Sequence, residues 1–337
     1  MSRTFIIAEA GANHNRNFDQ ACALIDAAVK AGANAVKFQT YSSETLYSQD
    51  TPDFAGYQDI NTLIKNIELP REWQKDLKKY CEDSGIEFMS TPFDERAVEE
   101  LFEIGVSRYK IAGFEATDPR FVKCVASTQK PLIITSGIGS NIEMIRRIVG
   151  WVKEVNPSPD ITILHGNNAY PTPYTDASLN QIDLIQLLIP GIKVGLSDHT
   201  PGILIPPLAV AKGACAIEKH YTLSRLLPGP DHPFAIEPHE LLQMVENIRI
   251  AEEACTIKSG NLSQSEKSFM QAMRSVVTKG RILKGDVLTT DNLTTKRPFL
   301  DDSVAALDYY NTLGHRACVD MEDDHILRCT DILREKP

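Results

Sequence analysis

Short apolar runs recur along the first two thirds of the chain, and most close on a polar residue. They occupy 5–8 before Glu9, 35–38 before Gln39, 86–89 before Ser90, and 108–111. The rest are 131–134 before Thr135, 161–164 before His165, 193–196 before Ser197, and 214–217 before Glu218. Runs this short, bounded by turn signals, predict buried parallel strands. Between them, apolar residues at helical spacing predict helices over 19–31, 70–83, 94–104, 118–127, 141–154, 179–189 and 202–212. A further helix is predicted over 238–255. Asp94 and Asp118 read as N-caps, and Gly32, Gly85, Gly105 and Gly213 as stops. Eight strand–helix alternations predict a TIM (β/α)8 barrel rather than an open α/β sheet. The stretch 42–69 is too long for a simple connection, which predicts a lid or an extra element.

The rhythm breaks near Gly260. A connecting helix is predicted over 263–274, followed by short β-like runs at 275–278, 287–288, 317–319 and 326–328. The predicted organisation is a barrel over 1–260, a linker over 261–274 and a small second domain over 275–337. About 60 residues is near the lower limit for an independent core. The formal net charge is −10, which argues against a nucleic-acid or anionic-membrane binder. The first eight residues lack the apolar core and cleavage site of a signal peptide, and no apolar run is long enough to span a bilayer. Seven cysteines form no CxxC pair. Together these predict a reduced, cytoplasmic protein.

In a TIM barrel the chemistry sits where the strands end. Here Glu9, Lys37, Gln39, Ser90, Lys110, Thr135, His165, Asn168, Ser197, His199, Glu218 and His220 all fall at or just beyond predicted strand ends. Lys37 and Lys110 interrupt apolar runs, a costly place for a lone ammonium. An anion would compensate them, and Thr135, Ser136, Asn168 and Ser197 add donors for a phosphate or carboxylate. Pairing of each lysine with a neighbouring glutamate is the alternative. His199 and His220 follow adjacent strands at matching offsets, a pattern suited to sharing one divalent metal in an open site. Glu9, Glu115 and Asp231 are placed to complete the metal shell or to act as acid and base. The Pro- and Gly-rich loop 227–233 would present Asp231 rigidly, as a holder of a polyol hydroxyl.

These residues together resemble the sialic acid synthases, which make nine-carbon 2-keto sugar acids. The matching segments are Ile7-Ala8-Glu9-Ala10-Gly11-Ala12-Asn13-His14-Asn15, Val36-Lys37-Phe38-Gln39-Thr40, Ser90-Thr91-Pro92-Phe93-Asp94 and Tyr109-Lys110-Ile111-Ala112. Gly195-Leu196-Ser197-Asp198-His199-Thr200, Glu218-Lys219-His220-Tyr221-Thr222 and Gly229-Pro230-Asp231-His232 follow in order. Lys284-Gly285-Asp286 and Lys296-Arg297-Pro298 match a C-terminal antifreeze-like domain of the β-clip type.

The resemblance implies a metal-assisted transferase that condenses phosphoenolpyruvate with an N-acyl amino sugar, either N-acetylmannosamine or a diacetamido-dideoxy hexose, and releases phosphate. It implies phosphoenolpyruvate binding by Lys37, Lys110, Thr135, Asn168 and Ser197, with Tyr170 lining the same site. It implies a divalent metal on His199 and His220, Mn2+ first, with Mg2+, Co2+ or Zn2+ as alternatives. Glu9 would bind that metal or its water, Glu115 would handle a proton and Asp231 would hold the sugar. Arg297 would reach the partner subunit's site in a domain-exchanged homodimer. Asp301 and Asp302 follow it closely enough in sequence to neutralise it. Neutral imidazoles are needed to hold the metal, so activity should fall below about pH 6. Two other readings remain at this point: a related phosphoenolpyruvate-dependent synthase acting on a sugar phosphate, and a sugar-acid-binding barrel without catalysis.

Overall fold

Eight strands form one parallel sheet: β1 (Phe5–Gly11), β2 (Ala35–Thr40), β3 (Glu87–Pro92), β4 (Tyr109–Ile111), β5 (Leu132–Thr135), β6 (Ile161–Gly166), β7 (Lys193–Asp198) and β8 (Ala216–His220). The computed structural model describes residues 3–53, 58–139, 141–256, 260 and 262–333. The hydrogen-bonded order is β3-β2-β1-β8-β7-β6-β5-β4. Pairing of β1 with β8 curls the sheet round, and β3 lies against β4 across the remaining seam. This is a nearly closed, TIM-like barrel wrapped by helices.

The helices form where the spacing predicts them. Asn17 caps Phe18–Ala31, Asp94 caps Glu95–Glu103, and Asp118 caps Pro119–Ser127 with proline in the first turn. Their apolar stripes bury Leu24, Ile25, Leu101, Val122 and Val125 against the outward face of the strands, including Ile6, Val36, Tyr109 and Ile217. Inside the barrel the lower layer is apolar: Ile7, Ala35, Met89, Ile133, Leu164 and Ala216.

Most of the strands run further than the apolar runs that announce them. β1 continues through Glu9 to Gly11, β2 through Gln39 to Thr40, β7 to Asp198 and β8 to His220. The main-chain ladder does not stop when the interior face changes from apolar to charged. Alternation of side chains also corrects one assignment. Ser90 turns outward to Thr40, 2.7 Å between hydroxyls, and Thr91 takes its place inside. His165 follows inward-facing Leu164, and its Nε2 donates to the Ala177 carbonyl at 2.9 Å.

The long segment after β2 is an extra element. It contains helices Ser43–Leu46 and Ile60–Ile67, and Ile60 and Ile64 pack with Tyr41 in a small core of their own.

Residues 1–256 and 257–337 form two compact units. In the second, β9 (Ser275–Thr278) pairs antiparallel with β10 (Leu293–Lys296), and β11 (Arg316–Ala317) with β12 (Ile332–Leu333). Val276, Ile282, Leu288, Leu293, Val304, Ala317, Met321 and Leu327 form its core. The helix expected over 263–274 is reduced to Gln264–Lys267 and a 3-10 turn, Met270–Ala272. Phe269 and Met273 are mostly exposed, so no buried face sustains a longer helix. No helix among the described residues is long and apolar enough to cross a membrane.

Candidate active site

Above the apolar layer the barrel interior becomes a charged network. Lys37 Nζ lies 2.7 Å from Glu9 Oε2 and donates to Thr91 Oγ1 at 2.7 Å. Gln39 Nε2 donates to Glu9 Oε1 at 2.8 Å. Glu218 stands between the two lysines, 3.6 Å from Lys37 and 3.2 Å from Lys110. Its Oε1 accepts from the Ser197 hydroxyl at 2.9 Å. Glu9, Lys37, Lys110, Ser197 and Glu218 are all buried. The lysines are thus paired with glutamates, as the alternative reading of the sequence allowed. The two ammoniums and two carboxylates sum to no net charge when all are ionised.

The network sets the protonation of its members. Burial alone would raise the Glu218 carboxyl, but Lys110 and Lys37 outweigh it and hold the group at about 2. Burial raises the Glu9 carboxyl above its ordinary value, against the pull of Lys37 and His220. Burial also lowers the Lys110 ammonium, with Glu218 opposing. The Lys37 ammonium rises because Glu218 and Glu9 together overcome burial.

At the rim, His199 follows β7 and His220 ends β8, with ring centres 5.5 Å apart. His199 Nδ1 donates to the Asn167 carbonyl at 2.6 Å, which leaves its Nε2 lone pair free. His220 Nδ1 is buried without a hydrogen-bond partner and lies 3.6 Å from Asp231 Oδ2. A side chain at Gly11 would meet Asp231 Oδ2 at 2.7 Å, His220 Nδ1 at 3.5 Å and Glu9 Oε1 at 3.6 Å. Glycine there keeps open the space onto which these three groups converge. Among the described residues no three His, Cys, Asp or Glu side chains stand together as a set that could hold a metal ion. The two imidazoles, with His199 Nε2 free, are the residues that could hold an open, exchangeable divalent ion. Tyr170 packs its ring 4.2 Å from that of His199 and 5.4 Å from that of Phe234, forming an aromatic wall beside the histidines.

Glu115 lies in the 3-10 turn Glu115–Thr117 after β4. Burial lifts its carboxyl to about 7, and its Oε2 has no partner. Thr135 Oγ1 and Asn168 Nδ2 are likewise buried and unpartnered. Asn168 and Ser136 line a cavity of about 440 Å³ at the ends of β5 and β6. Six of the seven buried side-chain atoms that make no hydrogen bond among the described residues belong to this mouth, those of Glu9, Glu115, Thr135, Asn168, Glu218 and His220, although Glu9 Oε2 is ion-paired with Lys37. Such a concentration of unmet polar groups marks a place built to receive a ligand.

The structure therefore brings together Glu9, Lys37, Gln39, Lys110, Glu115, Thr135, Ser136, Asn168, Tyr170, Ser197, His199, His220 and Asp231 around the barrel mouth. Arg297 belongs to the second unit, where it is exposed. Asp302 pairs with Arg328 rather than with Arg297. Sequence reasoning named Glu218 but gave it no role. The signal was available: it stands two residues before His220 on one strand, hence on the same inward face. Thr91 stood in a matching segment without being given a role, and Phe234 was missed for want of any local mark.

A model of the NeuB family matches residues 24–259. The chain is 36% identical to the N,N'-diacetyllegionaminic acid synthase of Legionella pneumophila, covering 94% of this chain and 91% of that protein. It is 34% identical to a pseudaminic acid synthase of Campylobacter jejuni, covering 98% and 96%. The crystal structure of an N-acetylneuraminic acid synthetase from Leptospira borgpetersenii, in complex with citrate, superposes with a TM-score of 0.73 at 32% identity, covering 80% of this chain and 91% of that one.

Proposed function

The chain belongs to the NeuB family of synthases, and on that premise we propose that it joins phosphoenolpyruvate to an N-acyl amino sugar, giving a nine-carbon 2-keto sugar acid and phosphate. The observation that carries this reading is the buried Lys37–Glu218–Lys110 bridge beside the His199–His220 pair. It places two ammoniums at fixed positions beside two imidazoles that could hold a divalent ion. An acceptor with two acylamino groups is placed ahead of N-acetylmannosamine, because the relatives named for legionaminic and pseudaminic acids are 34–36% identical, against 31% for one named for N-acetylneuraminate 9-phosphate.

In this reading Lys37 and Lys110 face the carboxylate and phosphate of phosphoenolpyruvate. The unpartnered Thr135 hydroxyl and Asn168 amide, with Ser136 and Ser197, supply further donors. A divalent ion on His199 and His220, Mn2+ first among the candidates, would supply Lewis-acid polarisation of the sugar aldehyde. Glu9, oriented by Gln39 and Lys37, faces the same space and would hold a water or the ion itself. Asp231 would take a sugar hydroxyl, with the Tyr170 ring excluding water alongside.

The methylene carbon of phosphoenolpyruvate bonds to the aldehyde carbon, and the aldehyde oxygen takes a proton from Glu115. Water adds to C2 and returns its proton to Glu115. The C2–O bond to phosphate then breaks, and the remaining hydroxyl proton leaves with phosphate. A carboxyl held at about 7 is suited to both transfers near neutral pH. The second unit, read as an antifreeze-like domain, would deliver Arg297 to the sugar in a partner's site within a homodimer.

The test is phosphate release from phosphoenolpyruvate with N-acetylmannosamine and the two diacetamido hexoses offered in parallel. Release with a diacetamido sugar, lost on chelation and restored by Mn2+, is the expected result. Release with a sugar phosphate alone would overturn the unphosphorylated acceptor while leaving the phosphoenolpyruvate half of the reading in place. Phosphoenolpyruvate binding without release from any acceptor would favour a binding barrel.

A further inference from the structure

Two lysines buried side by side in a barrel repel one another and lose their hydration. Lys37 and Lys110 share Glu218, which touches both, while Ser197 anchors the carboxylate from a third strand. The grip is uneven. Glu218 Oε1 has Ser197 and Lys110, whereas Oε2 has only the 3.6 Å approach of Lys37 and no aligned hydrogen bond. A carboxylate so placed sits where an anionic substrate would draw on the same two ammoniums.

We propose that Glu218 is a positioning residue that holds Lys37 and Lys110 at a fixed spacing and, by the same contacts, competes with the incoming anion for them. This inference rests on the phosphoenolpyruvate reading above. The carboxylate weakens binding of the ground-state anion and in return keeps both ammoniums aimed before the reaction begins. Interactions that tighten substrate and transition state equally do not raise kcat, so weaker initial binding is no handicap to turnover.

The experiment separates charge from position. Phosphoenolpyruvate binding without sugar is measured by calorimetry, and kcat by phosphate release, for wild type, Glu218→Gln and Glu218→Asp. In Glu218→Gln the competing charge is gone, so Kd should fall about tenfold, the low end of the effect of one like charge a few ångströms away. Its kcat should fall about 10²-fold, because the lysines lose their common anchor. Glu218→Asp keeps the charge but is too short to span both lysines, so kcat should fall while Kd does not tighten. An unchanged or weaker Kd in Glu218→Gln overturns the proposal. Should Glu218→Gln fail to fold, Glu218→Asp still decides: lost turnover at unchanged Kd supports positioning, and parallel loss of both overturns it. Wild-type protein that binds no phosphoenolpyruvate overturns the functional reading itself, and that failure is distinct because it shows before any variant is made.

Discussion

Two buried lysine–carboxylate arrangements share β7 and β8 and face opposite ways. Inside the barrel, Glu218 holds Lys110 and Lys37, with Ser197 alongside. Outside, one residue along, Lys219 pairs with Asp198 at 2.7 Å and also donates to the Thr200 carbonyl. Asp198 Oδ1 accepts from the Thr200 amide at 3.0 Å and its hydroxyl at 2.8 Å. Nothing in the outer group is left unpartnered, whereas around the inner group Glu218 Oε2, Thr135 Oγ1 and Asn168 Nδ2 make no hydrogen bond. Burial of charge alone therefore does not mark a site. A closed set of partners belongs to the framework, and an open one is poised for something that arrives later.

If that contrast is right, removing one lysine from each set has opposite consequences. Lys110→Met should cut kcat/KM by about 10²–10³. It should lower the unfolding free energy by less than Lys219→Met does, since Glu218 keeps Lys37 and Ser197. Equal losses of stability and activity would dissolve the distinction. Lys219→Met should do the reverse, lowering stability by about 3–5 kcal/mol in denaturant titration by stranding Asp198. Folded Lys219→Met should keep its kcat, and a large drop there would place the outer pair in the chemistry.

Smaller effects sharpen the inner half of the comparison. Glu115 is half protonated near pH 7 and acts first as a donor, so kcat should decline as pH rises through about 7. Glu115→Gln should lose about 10²-fold in kcat and flatten that decline. A decline that survives the substitution points to another group. His199, held at about 3 by burial and by His220, stays neutral well below pH 6. On that basis an acid-side loss near pH 6, where measured, should persist with His199 unprotonated and report another group. The smallest effect should be Gly113→Ala. A Cβ there would come within 2.8 Å of Asn168 Nδ2 and displace that amide. KM for phosphoenolpyruvate should rise up to about tenfold, with the melting temperature nearly unchanged.

Most of the barrel was legible because the strands are compact apolar runs and several helices carry their own caps, as Asp94 and Asp118 do. The mouth was legible in its residue types but not in its pairing. Lys37 was marked by standing inside an apolar run, yet its partners Glu9 and Thr91 come from β1 and β3 and leave no local trace. Ser90 turns away from the mouth because a run's last apolar residue does not say which face the next residue takes, whereas His165 lines the cavity beside Asn168. The tail was the least legible, since β10 (Leu293–Lys296) alternates weakly and much of the second unit is held by isolated bridges.

The alternation Glu218-Lys219-His220 has a consequence for assembly. Sliding β8 by one position against its neighbours would turn Lys219 into the lumen beside Lys37 and Lys110, and expel Glu218 to the helical side. Three ammoniums would then crowd together while Asp198 lost its counterion. An error of one residue is thus penalised on both faces at once. The order of three consecutive letters works as a proofreading device, rejecting the misthreaded barrel before any substrate is present to judge it.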